Sequence, residues 1–453
     1  MRMLVQPKGQ GWALVLPALL AILLGAGASL VGRPGPVAAA EVNSLALSAT
    51  YEVDATLRWG DRSVSVATIA RVTNTTLAAV YNLAFNLTPL RLGNAQVGTA
   101  TVDGQPAPTT TIDQAVLVAL DPPLAPGATA AVQIDYQASL NASSRGDRWL
   151  FTRSGGLLAA YRWIPWLSRQ VAWDGSNNGD PWVTASSPYV EVTLTTDRPM
   201  SIAATGQRVA VSADGLTQTF VASDVRDFNF SAAPGYRTRS QTVAIGTQSV
   251  TVTFYYRSLR PGPVLRWAAS ALRDFSARVG SYAYPQLNIG EVGYFADAIE
   301  SPGHFWLPVG WSSALTRWTV VHEIAHVWFY GVVGNDQASE PFADEAVAEF
   351  MSSNLVGQWG RPDCAQQNLD QSVYDLGDCY ESVIYAQGSR YLRDYRDTVG
   401  EATFWRGLAN YYAAYGKRIG GTRQLLDALD SAAATDYPHW LRFPSLYPDQ
   451  TGG

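Results

Sequence analysis

The sequence feature that most limits what this chain can fold into is a short pattern, His322-Glu323-Ile324-Ala325-His326. The two histidines are four positions apart, so on an α-helix their side chains point the same way, one turn above the other. Imidazoles at that spacing can hold one tetrahedral metal ion, and the H-E-x-x-H pattern is typical of a zinc-binding helix. A chance match on an amphipathic helix is the alternative, but two of the chain's 4 histidines lie in this pattern. The sequence therefore predicts a zinc site.

A catalytic zinc ion needs a third protein ligand and an open position for water. Glu345 is the candidate third ligand, because it begins a second helical pattern after a connection, residues 334–341, that is rich in turn-forming residues. Glu323 lies beside the first ligand, where its carboxylate could act as a general base for an attacking water. The alternative for Glu323 is a solvated helix residue. We expect one zinc ion per chain.

The motif, its spacing and its flanks resemble the M1 aminopeptidase family, the gluzincins that include aminopeptidase N and leukotriene A4 hydrolase. Eighteen residues lie between His326 and Glu345. The residues Val327-Trp328-Phe329 resemble the family's x-W-F, and residues 343–350, ADEAVAEF, resemble its L-N-E-G-F-A-x-Y. The resemblance implies a β-rich N-terminal domain followed by a mostly α, thermolysin-like zinc peptidase domain.

The resemblance also implies a residue that recognises the substrate. Residues 297–303, DAIESPG, are similar to the family's G-x-M-E-N segment, an edge strand beside the metal, although three of its positions differ. The match implies that Glu300 binds the free α-amino group, since a carboxylate pairs well with an ammonium. The alternative is a surface acid before a Ser-Pro-Gly turn.

Two further roles follow from the resemblance. Residues 384–388, IYAQG, resemble the family's Y-x-K-G, which implies that Tyr385 donates a hydrogen bond to the oxyanion of the tetrahedral intermediate. A core aromatic is the alternative, with Tyr380 and Tyr391 as nearby rivals. Glu340 falls where the family commonly has an aspartate that supports a zinc-bound histidine by accepting its other ring N–H. A solvated loop acid is the alternative for Glu340.

The start of the chain indicates export. An uncharged run at residues 9–32 follows Arg2 and Lys8, and the small residues 37–40, VAAA, come after it. This order is typical of a secretory signal peptide cleaved after Ala40. The run is also long enough to stay as a single membrane anchor. By either route we expect the catalytic domain to lie outside the cytoplasm, as an extracellular or membrane-anchored protein.

The chain has 2 cysteines, Cys364 and Cys379. In an exported protein, a close pair of this kind favours a disulfide over a metal site. Two buried free thiols are the alternative.

Residue periodicity divides the rest of the chain into two parts. Residues 44–257 repeat alternating β-branched and apolar residues between turn signals, which predicts a saddle or sandwich of antiparallel sheets. After Pro261-Gly262-Pro263 the pattern becomes helical. We therefore expect an α+β protein with a β-rich domain at 44–257, a catalytic domain at 261–440 and a tail at 441–453. The large C-terminal helical domain of many family members has no counterpart, so we expect a short form with a more open cleft.

The leading hypothesis is an exported zinc metallopeptidase that acts on peptides, most simply an aminopeptidase. An endopeptidase or another amide hydrolase with the same zinc site is the nearer alternative. A non-catalytic binding or scaffold protein on the same fold is an alternative of another class, since some relatives have lost activity. The net charge of −6 and the lack of a basic block argue against nucleic acid as a partner.

Overall fold

The computed structural model describes residues 42–170, 183–294, 296–365 and 368–433. The predicted signal or anchor segment at 1–40 and the predicted tail at 441–453 lie outside these ranges. The described residues belong to one compact unit. Strands dominate its first part and helices its second, so the predicted α+β class is confirmed.

The strands of the described residues follow one another in chain order. They are β1 (Ser48–Arg58), β2 (Ser63–Thr73), β3 (Val80–Asn86), β4 (Gln96–Val97), β5 (Thr101–Val102), β6 (Gln105–Pro106), β7 (Thr109–Ile112), β8 (Ala115–Leu124), β9 (Thr129–Ser139), β10 (Phe151–Ser154), β11 (Leu157–Ala160), β12 (Trp166–Leu167), β13 (Val190–Thr196), β14 (Ser201–Ala204), β15 (Gln207–Val211), β16 (Thr217–Ala222), β17 (Phe230–Ala233), β18 (Arg237–Ile245), β19 (Gln248–Tyr256), β20 (Gln286–Val292), β21 (Ile299–Ser301) and β22 (His304–Pro308).

The helices carry most of the second part of the described chain. They are α1 (Pro89–Leu92), α2 (Pro261–Arg278), α3 (Ser313–Ala325), α4 (Glu345–Val356), α5 (Val373–Leu376), α6 (Ser389–Val399), α7 (Glu401–Tyr415) and α8 (Thr422–Ala433), with a π-helical segment at Glu381–Gly388 and 3₁₀ turns at Gly146–Leu150, Pro341–Ala343 and Gly377–Cys379. Across the ranges that the structure describes, no helix combines the length and the apolar character needed to cross a membrane.

The largest sheet has nine strands in the order β15-β16-β13-β1-β2-β9-β5-β6, with β4 also paired to β9. Along β1, buried residues such as Val53 and Leu57 alternate with exposed ones such as Asp54, as expected when one face of a sheet is covered. The strand pairs are antiparallel except that β1 runs parallel to β13. The smaller sheets β10-β11-β17-β14 and β12-β3-β8-β7 contribute buried residues to the same hydrophobic core.

A fourth sheet, with five strands in the order β18-β19-β20-β22-β21, borders the functional region. Strand β19 pairs in parallel with β20, and α2 forms the crossover between them, as a parallel pair requires. Strand β21 forms the edge of this sheet through antiparallel pairing with β22. Because β18 and β19 precede residue 257, the sheet crosses the predicted domain boundary. The division at 257 and 261 stays a prediction, while this sheet draws on both sides of it.

The two cysteines lie in the stretch of chain that precedes the π-helical segment. The Cα atoms of Cys364 and Cys379 are 5.8 Å apart, within the range of disulfides, which supports the predicted bond. The Ser382 hydroxyl accepts a hydrogen bond from the backbone N–H of Cys364 at 3.0 Å. The Gln387 amide donates to the carbonyl of Cys364 at 3.4 Å. These contacts hold the cysteine loop against the π-helical segment.

A buried arginine ties the β-rich part to the loop that follows α3. The side chain of Arg226, which is 2% exposed, donates to the carbonyls of Gly331 at 3.3 Å and Val332 at 3.2 Å. On the other side it donates to the carbonyl of Thr184 at 2.9 Å. A β-carbon at Gly334 would collide with the guanidinium, so glycine permits this close approach. The loop behind α3 is therefore fixed by a charged group that the β-rich part supplies.

We expect Arg226→Met to lower the free energy of unfolding by about 3 kcal/mol, because several buried carbonyls lose a charged donor together. Urea denaturation followed by tryptophan fluorescence measures this change. Arg71→Met is the control, because Arg71 is 51% exposed in its ion pair with Glu52. A surface pair of this kind contributes about 0.5 kcal/mol or less. Equal losses in the two variants would contradict the assigned role of Arg226.

Candidate active site

Helix α3 carries both histidines of the H-E-x-x-H pattern. Its N-terminus is capped by Ser312, whose hydroxyl accepts a hydrogen bond from the backbone N–H of Leu315. The helix ends at Ala325, which places His322 in the last turn and His326 at the C-cap. Both rings are buried, and their Nε2 atoms lie 3.0 Å apart. The predicted one-turn spacing therefore brings the two nitrogens to one point.

Glu345, the first residue of α4, completes a triangle with the two histidines. Its Oε2 lies 3.1 Å from Nε2 of His322 and 3.3 Å from Nε2 of His326. A tetrahedral ion with ligand bonds of about 2.0–2.1 Å places neighbouring ligand atoms about 3.3 Å apart. The three atoms therefore fit a zinc ion in both chemistry and spacing.

The electrostatic surroundings of this triangle favour positive charge. Burial lowers the pKa of His322, which favours the neutral imidazole that a metal needs. Burial also acts to lower the pKa of His326, but the carboxylates of Asp344, Glu345 and Glu300 outweigh it and raise that pKa well above its ordinary value. Burial alone would raise the pKa of Glu345, yet the neighbouring imidazoles hold it well below its usual range. A cation at this point would satisfy the same carboxylates.

Asp344, and not Glu340, supports a histidine. Nδ1 of His326 lies 2.7 Å from Oδ1 of Asp344, so the ring donates there and presents the lone pair of Nε2 to the triangle. The predicted role of Glu340 as the support of a zinc-bound histidine is wrong. Its Oε2 instead accepts a hydrogen bond from the backbone N–H of Thr422 at 2.8 Å, at the start of α8. The 3₁₀ turn Pro341–Ala343 separates the two acids, so only the one adjoining Glu345 reaches the histidine.

Glu349 is a second acid near the ligands that the sequence reasoning missed. It lies one turn after Glu345 on α4, and its Oε2 is 3.7 Å from Nδ1 of His322. Burial raises the pKa of Glu349 to about 8, and the hydroxyl of Ser353 donates to its Oε1 at 2.6 Å. The ring of Trp318 stacks on His322 with centroids 4.7 Å apart. Glu349 could have been found from its spacing, because it lies four residues after Glu345 and this puts both acids on one face of α4.

Glu323 lies within the buried cluster, with a side chain that is 5% exposed. Burial raises its pKa well above the usual carboxyl range, and the negative charges of Glu300 and Glu345 add to this effect against the opposing influence of His326. Among the described residues, its Oε2 has no hydrogen-bond partner. The position of this oxygen beside the proposed metal ligands is suited to accepting a proton.

The structure brings Glu300 to the same cluster. It lies on the edge strand β21 and is 8% exposed. Its carboxylate oxygen, a ring nitrogen of His326 and a carboxylate oxygen of Asp344 all lie within 4.8 Å of one another. Its Oε1 also accepts a hydrogen bond of 2.8 Å from the side-chain amide of Gln337, a residue that the sequence reasoning did not consider.

Tyr385 lies on the π-helical segment and faces the first histidine. Its ring stacks on His322 with centroids 5.6 Å apart and planes 14° apart. Burial raises the pKa of the phenol well above its ordinary value, so it remains a neutral donor. Of the two rivals, Tyr380 packs edge-on against Tyr385 at 5.7 Å, while Tyr391 on α6 packs against Phe342. Apart from Glu340, the predicted site residues therefore lie together.

Comparisons with known sequences point in one direction. No protein-family model matches the chain. Aminopeptidase N of Lactococcus lactis subsp. lactis is 28% identical over 160 residues, which are 28% of this chain and 18% of that protein. Aminopeptidase N of Streptomyces lividans is 22% identical over 151 residues, 27% of this chain and 17% of that protein. The chain thus matches less than a fifth of the length of these curated relatives.

Solved structures match over most of the chain. An M1 zinc metallopeptidase from Deinococcus radiodurans has a TM-score of 0.67 at 19% identity, covering 88% of this chain and 94% of that one. A mutant of an M1 zinc metallopeptidase from the same organism, bound to a Tyr-Ser-Ala substrate, has a TM-score of 0.68 at 18% identity, with the same coverage. The chain therefore has the fold of the M1 zinc metallopeptidases, and the resemblance predicted from its sequence motifs is confirmed.

Proposed function

We propose that this protein is a zinc-dependent metallopeptidase, and specifically an aminopeptidase that removes residues from the N-terminus of peptides. The observation that carries the proposal is the convergence of the ligand atoms of His322, His326 and Glu345 beside the buried carboxylate of Glu323. The Tyr-Ser-Ala peptide bound to a D. radiodurans protein of the same fold supports peptides as the substrate class.

In the proposed reaction each residue has one task. His322, His326 and Glu345 would hold a zinc ion, which supplies Lewis-acid chemistry that polarises a carbonyl and acidifies water at neutral pH. Glu323 accepts the proton of the attacking water and returns it to the leaving nitrogen of the peptide. Tyr385 donates a hydrogen bond to the oxyanion of the tetrahedral intermediate without adding charge.

Glu300 favours an aminopeptidase over an endopeptidase. One of its carboxylate oxygens lies within 4.8 Å of a ring nitrogen of His326 and of a carboxylate oxygen of Asp344. A substrate ammonium bound to Glu300 is therefore held close to the proposed metal ligands. A substrate ammonium held beside the metal ligands fixes the cut near the N-terminal end of the peptide. The non-catalytic scaffold hypothesis is disfavoured because the ligands, the base and the phenol all lie together.

We expect Glu323→Gln to lower kcat by about 10²–10⁴-fold, because the amide cannot accept the proton, while zinc stays bound. Hydrolysis of aminoacyl amides and metal analysis of the purified protein measure the two effects. The wild type is expected to cleave peptides with a free N-terminus and to leave N-acetylated ones uncut. Full activity in the Gln variant would refute the role of Glu323, and equal cleavage of free and blocked peptides would refute the aminopeptidase assignment.

Asp344→Asn should weaken zinc binding by about 10–100-fold, because His326 loses the charged acceptor that orients its ring. Chelator competition at fixed pH measures the affinity. Glu340→Gln is the matched control, since Glu340 contacts α8 instead of a histidine, and its zinc affinity should equal that of the wild type. If Glu340→Gln weakened zinc binding as much as Asp344→Asn, the assignment of Asp344 would be incorrect.

We also propose that the protein is exported. The close approach of Cys364 and Cys379 supports an oxidising compartment, in which a disulfide persists. Mass spectrometry of the protein recovered outside the cytoplasm should find either Glu41 as the first residue or, for an anchor, an intact N-terminus in the membrane fraction. Recovery of full-length protein with free thiols from the cytoplasm alone would contradict export.

A further inference from the structure

One buried amide lies between two acids of the site and has no task in the reaction described above. The side chain of Gln337 is 4% exposed and stands in the loop between α3 and α4. Its Nε2 donates to Oε1 of Glu300 at 2.8 Å and also to Oδ2 of Asp344. Both N–H bonds of the amide are thus directed at carboxylates.

The orientation of this amide is fixed by its partners. Turning it over would place its carbonyl oxygen against two carboxylate oxygens, which repel it. In the observed orientation, Oε1 of Gln337 is buried and has no partner within the described part of the chain. An unpaired buried acceptor costs about 1–3 kcal/mol. The two charge-assisted hydrogen bonds offset this cost and are stronger than neutral ones.

These contacts form one continuous chain across the site. The two carboxylate oxygens of Asp344 accept hydrogen bonds from different partners. Oδ1 accepts from Nδ1 of His326, and Oδ2 accepts from the amide of Gln337. The same amide reaches Glu300 on the edge strand β21. A substrate-binding carboxylate and a metal ligand are therefore joined through one side chain.

We propose that Gln337 is a positioning residue that fixes the carboxylate of Glu300 for the substrate ammonium and couples it, through Asp344, to the metal ligand His326. The inference rests on the proposed function, because it assigns the ammonium to Glu300. The physical reason is repulsion between two nearby carboxylates, which a neutral donor between them relieves. Without that donor, Glu300 regains rotamer freedom and the Asp344 carboxylate loses one of its two anchors.

The test compares Gln337→Met with Gln218→Met. Methionine keeps the length of the side chain and removes both donors. Gln218 is a matched control, since it is 2% exposed and its amide donates to the carbonyl of Met200 at 2.8 Å from strand β16 of the nine-stranded sheet. For each variant, kcat and KM are measured on an aminoacyl amide and its N-acetylated form, and zinc affinity is measured by chelator competition.

For Gln337→Met we expect the preference for the free N-terminus to fall by about tenfold, mainly through a higher KM for the free amine. Zinc affinity should fall by about tenfold as the support of His326 loosens. Gln218→Met should keep both properties within about twofold of the wild type, even where it lowers stability. A loss of stability alone would move neither the preference nor the zinc affinity, so the two readouts separate positioning from folding.

A folded Gln337→Met variant with wild-type preference and wild-type zinc affinity would overturn the inference. If that variant does not fold, Gln337→Glu takes its place, because it keeps the shape but sets a third acid against two others, and it should lower both readouts. A wild type that cleaves free and blocked amides equally contradicts the proposed function. In that case the zinc affinity alone tests whether Gln337 is coupled to His326, and an unchanged zinc affinity in the Gln337 variant still overturns that coupling.

Discussion

The burial of three lone-pair donors at one point is the constraint on which the rest of the structure depends. Two imidazole nitrogens and a carboxylate oxygen, from His322, His326 and Glu345, lie 3.0–3.3 Å apart in the interior. The lone pairs of these three buried atoms repel one another and cannot be hydrated, so their burial is unfavourable unless a cation or protons compensate. The C-terminal end of α3 and the N-terminal end of α4 must therefore be held rigidly, and the surrounding elements provide that restraint.

The restraint comes from several directions. Trp318 and Tyr385 each stack on the ring of His322, and Asp344 holds the ring of His326. Behind α3, the guanidinium of Arg226 holds the carbonyls of the following loop. These groups come from helices, a loop and the β-rich part, so the position of the ligands depends on the whole compact unit and not on the zinc-binding helix alone.

The local part of the site could be predicted from the sequence. The histidine spacing and the position of Glu345 depend on helical periodicity and a motif, and the structure brings all three together. The support of His326 could not be read in the same way, because a 3₁₀ turn decides which loop acid points inward. Gln337 stands in a loop without periodicity, and its contacts with β21 cross 37 positions of sequence, which no spacing rule covers. The parallel pairing of β19 with β20 is likewise non-local.

The cysteine pair has a consequence for how the site responds to its surroundings. Cys379 directly precedes Tyr380 and the segment that carries Tyr385, and a bond to Cys364 would close a ring with a sequence separation of 15 residues. A covalent ring restricts the chain even where non-covalent contacts loosen. A disulfide between Cys364 and Cys379 would therefore anchor one end of the segment that carries Tyr385 by a bond that reductants can open. A disulfide between these cysteines would place a covalent constraint next to an aromatic side chain that itself undergoes no redox chemistry.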